Sequence, residues 1–193
     1  LPKIVALIMS TPLKLVLIGI SCFVCLLISC TKTESAGAAG TALFEQLDPK
    51  NTGVQFANLL EETPELNYMK FNYLYMSGGV AMGDFNNDGL IDLYFAATTA
   101  PNKLYLNKGN FQFEDISEKS GINHLDGGIK TGVALVDING DGWLDIFQCR
   151  TGASPEKRGN YLFINNKDLT FTESSAQYGL DAKCPSTQAN FFD

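Results

Sequence analysis

The sequence predicts an all-β fold assembled from repeated units of four short strands. An acidic loop followed by an apolar run occurs twice, as GDFNNDGLIDLYFA at 83–96 and as VDINGDGWLDIFQC at 136–149. The sequence after each loop also repeats, with short runs of alternating apolar and polar residues separated by turn residues. Units of about 50–60 residues that contain several short strands are typical of the blades of a β-propeller.

Two alignments define the repeat. The segment GGVAMGDFNNDGLIDLYFA (78–96) matches TGVALVDINGDGWLDIFQC (131–149) at an offset of 53 residues. The segment NKLYLNKGNFQFEDISEKSGI (102–122) matches NYLFINNKDLTFTESSAQYGL (160–180) at an offset of 58 residues. The larger second offset indicates a short insertion in the polar segment TGASPEKRGN (151–160), where a loop tolerates extra residues.

Partial copies flank the two complete ones. TQANFFD (187–193) matches TGVALVD (131–137), so that Asp193 stands where the first acid of a third loop would be. LFEQLDPKNTGVQF (43–56) echoes FQFEDISEKSGI (111–122). We therefore predict about two full propeller blades plus flanking partial blades, within a domain that spans 43–193.

Each complete unit has room for four strands. In the first unit, one strand leads into the acidic loop, one leaves it, and two more form a hairpin; the predicted strands are 80–82, 91–95, 103–107 and 111–116. The second unit repeats the hairpin with predicted strands at 161–164 and 169–171, joined by a turn at 165–168.

Both acidic loops carry oxygen donors at alternating positions. Counted from the first Asp, positions 1, 3, 5 and 9 are Asp or Asn, position 6 is Gly, and position 7 would contribute its carbonyl oxygen. Ca²⁺ prefers six to eight oxygen ligands, and Gly permits the sharp turn that such a loop needs. The predicted ligands are Asp84, Asn86, Asp88, Leu90 and Asp92 in the first loop, and Asp137, Asn139, Asp141, Trp143 and Asp145 in the second.

The chemistry of the loops predicts a structural ion. Three carboxylates in one loop would repel each other, and a divalent cation would supply the compensating charge. Protein groups fill every ligand position except a site for water, so we expect about one structural Ca²⁺ per loop and no catalytic role for it. The alternative for either loop alone is an Asp/Asn/Gly turn without bound metal.

An EF-hand shares the first half of this pattern but differs in two respects. It requires a bidentate Glu at position 12 and a helix on each side of the loop. Position 12 is Phe95 in the first loop and Gln148 in the second, and the flanking residues are rich in strand formers. The sequence therefore favours loops between strands.

At these residues the sequence resembles the FG-GAP/VCBS repeat proteins, and in particular the cartilage-acidic-protein-like group. The resemblance is carried by VALVDINGDGWLDIF and by GGVAMGDFNNDGLIDLYFA with the NKLYLNKGNFQFEDISEKSGI that follows it. It covers roughly 43–193 and implies a β-propeller, seven-bladed as in integrin α heads, with Ca²⁺ in the hairpin loops. The same ten loop residues carry over as ligands. Members of this group often end in an ASPIC/UnbV region, which these 193 residues do not contain.

The N-terminal residues predict export. LKLVLIGISCFVCLLISC (13–30) places a lysine before an apolar run, as in a secretory signal, and its end resembles a bacterial lipobox with Cys30 as the lipidated residue. We predict a lipoprotein signal peptide over 1–29 and a flexible tether over 30–42. A plain secretion signal and a retained membrane anchor are the alternatives. The expected location is the bacterial outer membrane or cell surface, with the protein held to the membrane by its lipid.

The net charge of the chain bears on the class of partner that it can bind. The chain has 14 Lys and Arg against 21 Asp and Glu, a net charge of −7, which disfavours nucleic acid as a partner.

Once the signal is removed and Cys30 is lipidated, Cys149 and Cys184 remain. In an exported protein they could form a disulfide, and two buried free thiols are the alternative.

These features favour a binding or adhesion module for a glycan or a protein. The alternatives are the N-terminal part of a polysaccharide-processing enzyme with its catalytic residues elsewhere, and a structural scaffold. The sequence contains no nucleophile motif or zinc signature, and we expect its single histidine, His124, to be a solvated loop residue. The aromatic run NYMKFNYLYMSGG could stack on sugars, although the alternation of Phe71, Tyr73 and Tyr75 favours one buried strand face. Trp143 is expected to pack between blades.

Overall fold

The computed structural model describes residues 43–123, 128–152 and 154–192. The chain divides into two compact units, Leu1–Glu45 and Gln46–Asp193. Of the first unit only residues 43–45 are described, and they are exposed. The predicted signal peptide, tether and lipidation at Cys30 therefore lie outside the described residues, as do His124 and Asp193. Within the described ranges no helix is long and apolar enough to cross a membrane.

The second unit consists of two four-stranded antiparallel sheets, each formed by consecutive strands. The all-β prediction and the prediction of two blades are confirmed. The first blade contains β1 (Gly79–Gly83), β2 (Asp92–Ala96), β3 (Lys103–Asn107) and β4 (Phe113–Asp115). The second contains β5 (Ile129–Val136), β6 (Asp145–Thr151), β7 (Tyr161–Asn165) and β8 (Phe171–Glu173). Helical structure in the described ranges is short: α1 (Pro49–Thr52) and two 3₁₀ turns, Leu74–Met76 and Pro155–Lys157.

Strand register places each acidic loop at the end of a hairpin. In the first blade Gly83 pairs with Asp92, and in the second Val136 pairs with Asp145, so each loop connects two paired strands. This arrangement confirms that the loops lie between strands and not between helices. The predicted hairpins β3–β4 and β7–β8 are also present, although β4 and β8 begin two residues later than predicted.

One apolar core lies between the two blades. Tyr94, Leu104 and Leu106 from the first sheet meet Ile146 and Phe163 from the second, and all five are almost completely buried. Burial of large apolar side chains contributes about 1.5–3 kcal/mol each, before the conformational entropy that folding costs is counted. Because this core is formed by facing sides of the two sheets, either blade alone would leave an apolar face in water.

The second blade is covered on both faces. In β6 every residue is buried, because Ile146 faces the first blade while Phe147 and Cys149 belong to a second cluster on the opposite side. Phe191 lies edge-on against Phe147 with 5.4 Å between ring centroids, so the C-terminal residues cover part of this face. In β2 buried and half-buried residues alternate. On the face away from the second blade, Phe95 stacks on Phe56 with 4.6 Å between ring centroids and lies edge-on to the buried Tyr105.

The residues at the end of each repeat, around Gly53 and around Gly121, are here called the repeat tail. Each repeat tail packs against the outermost strand of the next blade. Gly53 and Gly121 both have left-handed backbone conformations, with φ of 79° and 75°. A Cβ on Gly53 would lie 2.5 Å from the Phe113 carbonyl oxygen, and a Cβ on Gly121 would lie 2.9 Å from that of Phe171. The two glycines thus make equivalent contacts with β4 and β8, which supports the similarity between 43–56 and 111–122.

The aromatic run that precedes β1 does not form the buried strand face that its alternation predicts. Residues 67–76 form turns and the 3₁₀ turn, with Leu74 completely buried, Phe71 half-buried and Tyr73 and Tyr75 exposed. The Leu74 N–H donates to the Phe71 carbonyl at 3.1 Å. Phe71 and Leu74, the two of these side chains that are at least half-buried, are three residues apart, as in a helical turn. The segment therefore does not follow the two-residue alternation of a strand.

Both remaining cysteines are free thiols. Cys149 is buried in β6, and Cys184 is exposed in the C-terminal segment. The disulfide that the sequence left open is therefore not formed in this structure. The alternative of two buried free thiols holds for Cys149 only.

Candidate cation-binding loops

The carboxylate at position 1 curls each loop around itself. In the first loop Asp84 accepts hydrogen bonds from the Asp88 and Gly89 N–H groups at 3.1 and 2.7 Å. In the second, Asp137 accepts the equivalent bonds at 2.9 and 2.8 Å. The Gly at position 6 has φ of 86° in one loop and 84° in the other, a left-handed conformation that Gly adopts without steric cost.

Positions 3 and 5 add further side-chain oxygens on the same curl. Asn86 accepts from the Asp88 N–H at 3.2 Å and donates its amide to the Asp88 carboxylate at 2.8 Å. Asp88 in turn accepts from the Leu90 N–H at 2.8 Å. The second loop forms the same bonds at 3.0, 3.1 and 3.0 Å, through Asn139, Asp141 and Trp143. The two loops therefore have the same internal hydrogen-bond pattern.

Position 9 has a different environment from positions 1, 3 and 5. Asp92 is completely buried, and its two oxygens accept from the N–H groups of Phe85 at 2.9 Å and Asn107 at 2.8 Å. Asp145 accepts from Ile138 at 3.1 Å and Asn165 at 2.8 Å. In each blade this carboxylate joins the start of the loop to the end of the third strand, β3 or β7, and so has a structural role.

Asn107 and Asn165 support the loops structurally, and the sequence patterns did not single them out. Each is the last residue of its third strand, and the side-chain amide of each donates to the carbonyl at loop position 8: Ile91 at 2.9 Å and Leu144 at 3.3 Å. The signal was present, because the two residues are aligned at the repeat offset of 58 and end the matching strings NKLYLN and NYLFIN.

The two loops also touch each other. The side-chain amide of Asn87 donates to the Gly142 carbonyl at 3.1 Å, from position 4 of one loop to position 6 of the other. Asn87 has φ of 56°, a left-handed conformation that Asn tolerates better than most residues. In the second loop Lys167 forms an ion pair with Asp141 at 3.2 Å, which compensates part of that loop's negative charge.

Electrostatics in both loops disfavours the ionised form of the position 9 carboxyl. Burial raises the pKa of Asp92, two backbone hydrogen bonds oppose that change, and the charges of Asp88 and Asp84 raise the pKa further. The same causes raise the pKa of Asp145 in the second loop. Like charges held this close favour either a proton or a cation among them.

The donor chemistry of loop positions 1, 3 and 5 fits a hard cation. The oxygens of positions 1, 3 and 5 are carboxylate and amide oxygens, as Ca²⁺ prefers, and an ionised carboxylate accepts more bonds than the backbone amides here provide. Both oxygens of Asp92 and Asp145 are already used by backbone N–H groups. Within the described ranges no three His, Cys, Asp or Glu side chains are grouped as a metal site.

Leu90 and Trp143 occupy position 7 of their loops. Leu90 is exposed, and Trp143 is half-buried. Each donates its backbone N–H to the Asp at position 5, which orients the peptide at that point of the curl.

The fold and its loops define a class of all-β proteins built from repeated blades. Residues 77–147 match the model of the FG-GAP-like repeat, a segment that includes the whole first blade and the second acidic loop. A stretch of 68 residues is 37% identical to cartilage acidic protein 1 of Xenopus tropicalis, covering 35% of this chain and 10% of that protein. The chain thus matches about a tenth of that relative's length. It carries an FG-GAP-like repeat and has a β-propeller-like all-β fold.

Proposed function

We propose that this chain is a calcium-stabilised, lipid-anchored β-propeller module that binds a glycan or a protein outside the cytoplasm. The observation that carries the proposal is the identity of the hydrogen-bond pattern in the two acidic loops. Two loops of different apolar sequence keep the same donor positions and the same curl. A shared requirement for the same bound ion accounts for both.

The proposed Ca²⁺ would be held by the side chains at positions 1, 3 and 5 and the carbonyl at position 7 of each loop. When bound, it would neutralise the carboxylates that otherwise repel each other. Asp92 and Asp145 at position 9 would support the ion site indirectly, because they fix the start of each loop relative to the neighbouring strands. The ion would thereby fasten the β1–β2 and β5–β6 hairpins.

Binding rather than catalysis is proposed because the acidic side chains already have structural partners. Asp84, Asp92 and their counterparts accept hydrogen bonds from the backbone, which holds the loops in one conformation. Rigid blades with loops at both ends suit recognition of a ligand, and FG-GAP-like repeats occur in modules of this kind. The proposed partner is a surface glycan or protein, without nucleic acid.

The proposed location follows from the N-terminal sequence. The lysine and apolar run over 13–30 support export, and Cys30 at the end of the run supports lipid attachment. Acyl chains embed with roughly 0.8 kcal/mol per buried CH₂, so a multiply acylated Cys30 would hold the protein at a membrane. Mass spectrometry of the protein purified from membranes, compared with a Cys30→Ala variant, tests this part of the proposal.

Calcium binding is tested with the full-length protein by elemental analysis and thermal unfolding. We expect bound calcium and a rise in Tm on Ca²⁺ addition; at 100 times Kd, a single site stabilises by about 2.7 kcal/mol. Asp84→Asn and Asp137→Asn should each reduce the bound calcium and the rise in Tm, whereas Asp181→Asn, an exposed acid outside the loops, should change neither. A protein that contains no calcium and unfolds identically in chelator contradicts the proposal.

Ligand binding is tested on glycan and protein arrays, with turnover of a polysaccharide panel measured in parallel. Saturable binding without turnover supports a recognition module. Turnover of a polysaccharide that needs residues of this chain would instead support the enzyme alternative.

A further inference from the structure

A second candidate site lies at the opposite end of the strands from the acidic loops. It is a cavity of about 850 Å³ beside the start of β1 and β5 and the end of β6. Its wall combines the segment before β1, the second blade and the residues that follow the repeat tail; among its lining residues are Lys70, Phe71, Tyr73, Thr131, Arg158 and Gln188. Ligand sites in proteins are typically clefts or cavities of about 300–1,000 Å³, and this cavity lies within that range.

The charge of the cavity wall differs from that of the protein as a whole. The chain has more acidic than basic residues, 21 against 14, yet the described residues that line the cavity include Lys70 and Arg158 and no Asp or Glu. Arg158 donates from Nε to the Gly152 carbonyl at 2.7 Å, and Lys70 donates from Nζ to the Pro64 carbonyl. Because Gly152 lines the cavity, the Arg158 guanidinium is held at this wall, where it favours an anionic ligand; the Lys70 ammonium is instead bonded to Pro64, which does not line the cavity.

The other lining groups suit a carbohydrate. Phe71 and Tyr73 lie edge-to-face with 6.4 Å between ring centroids, and Tyr73 is 60% exposed, which leaves aromatic surface available to the apolar face of a sugar ring. Hydroxyl and amide side chains complete the wall. Thr131 is fixed by its hydrogen bond to the Ser186 carbonyl at 2.7 Å, so this part of the wall has a defined conformation.

We propose that this cavity binds an acidic oligosaccharide, with the anionic substituent near Arg158 and a sugar ring against Tyr73. The inference rests on the proposed function as a binding module and names its site and ligand class. A glycan is favoured over an acidic peptide because the exposed aromatic ring of Tyr73 accompanies the cation. The anionic substituent can be a carboxylate or a sulfate, which share the chemistry that the Arg158 guanidinium recognises.

The test measures binding of defined oligosaccharides to the full-length protein by isothermal titration calorimetry. The ligands are an oligogalacturonate, which is carboxylated, a carrageenan oligosaccharide, which is sulfated, a neutral malto-oligosaccharide of the same length, and a hexaglutamate peptide. We expect at least one acidic oligosaccharide to bind tenfold or more tightly than the neutral one. Its affinity should fall with ionic strength.

Variants then locate the site. Arg158→Gln and Tyr73→Ala should each weaken binding about tenfold, and Arg158→Lys should retain part of the affinity because the charge remains. Lys119→Gln and Tyr178→Ala are the matched controls, since both residues are exposed and neither lines the cavity. Because Tyr73 is exposed, its replacement has little risk of unfolding the protein, and circular dichroism verifies the fold of each variant.

The outcomes separate this inference from the proposed function. Equal affinity for the neutral oligosaccharide, tighter binding of hexaglutamate, or equal losses in the control variants overturns the inference. Glycan or protein binding that is insensitive to Arg158→Gln and Tyr73→Ala also overturns it, while the proposed function stands. Absence of any glycan or protein ligand on the arrays overturns both.

Discussion

Asn165 donates its side-chain amide to the carbonyl of Phe85 at 2.8 Å, across 80 residues of sequence. The same amide donates to the Leu144 carbonyl at 3.3 Å, and the Asn165 N–H donates to Asp145 at 2.8 Å. One buried residue at the end of β7 therefore holds position 2 of the first acidic loop and positions 8 and 9 of the second. Together with the contact between Asn87 and Gly142, this bond couples the two loops across the blade interface.

Replacement of Asn165 should destabilise the protein more than replacement of its counterpart Asn107. Both side chains bond their own loop, and both accept an N–H two residues on, but only Asn165 is buried and reaches the other blade. Asn165→Ala should cost about 1–3 kcal/mol, because a buried carbonyl loses its partner, and Asn107→Ala about 0.5–1.5 kcal/mol. Denaturant unfolding of the two variants measures the difference; equal costs would show that the bond between blades contributes nothing.

The buried acids should make the metal-free protein respond to pH in the opposite sense to most carboxylates. Burial, then the neighbouring charges, raises the pKa of Asp92 above its usual value of 3.8, so the folded state binds the proton more tightly than the unfolded state. Stability contributed by this group therefore rises as pH falls through the raised pKa and levels off below the usual value. Cation binding, which needs the ionised form, should weaken over the same range.

The Asp92→Asn variant isolates this effect, because it removes one titrating group and leaves the others. In metal-free protein, the unfolding free energy of the wild type relative to Asp92→Asn should increase as pH is lowered from neutrality, measured by urea denaturation at each pH. A constant difference across that range contradicts a raised pKa at Asp92.

Repetition in the sequence was sufficient to predict the blades and the loops, but not the contacts between copies. The alignments of 78–96 with 131–149 and of 102–122 with 160–180 predicted where the strands and the acidic loops lie. The bond from Asn165 to Phe85 joins different blades, and local sequence does not contain information on which carbonyl of a neighbouring unit an amide will reach. The aromatic run was misjudged for a related reason: the complete burial of Leu74 depends on the rest of the fold and not on local alternation, and a helical turn replaces the predicted strand.

Gly121→Ala should cost more stability than Gly109→Ala, although both glycines have left-handed conformations, with φ of 75° and 82°. Either substitution incurs the left-handed penalty of about 1–2 kcal/mol for a residue with a Cβ. Only at Gly121 would the Cβ also meet a backbone atom, the Phe171 oxygen at 2.9 Å, whereas at Gly109 nothing lies within 4 Å. Thermal or denaturant unfolding measures both; a cost at Gly109 equal to that at Gly121 would show that the repeat tail does not pack tightly on β8.

The two cysteines of the folded unit should differ strongly in reactivity. Cys149 is buried in β6, and burial raises the pKa of its thiol to about 11, so little thiolate exists at neutral pH. Cys184 is exposed. Because the thiolate is the nucleophile, iodoacetamide at neutral pH should alkylate Cys184 in the native protein and Cys149 only after unfolding. Peptide mass spectrometry identifies the modified residue, and Cys184→Ser is the control. Rapid native labelling of Cys149 would mean that β6 opens readily to solvent, and a peptide pair linked through both cysteines would mean that the thiols meet in solution.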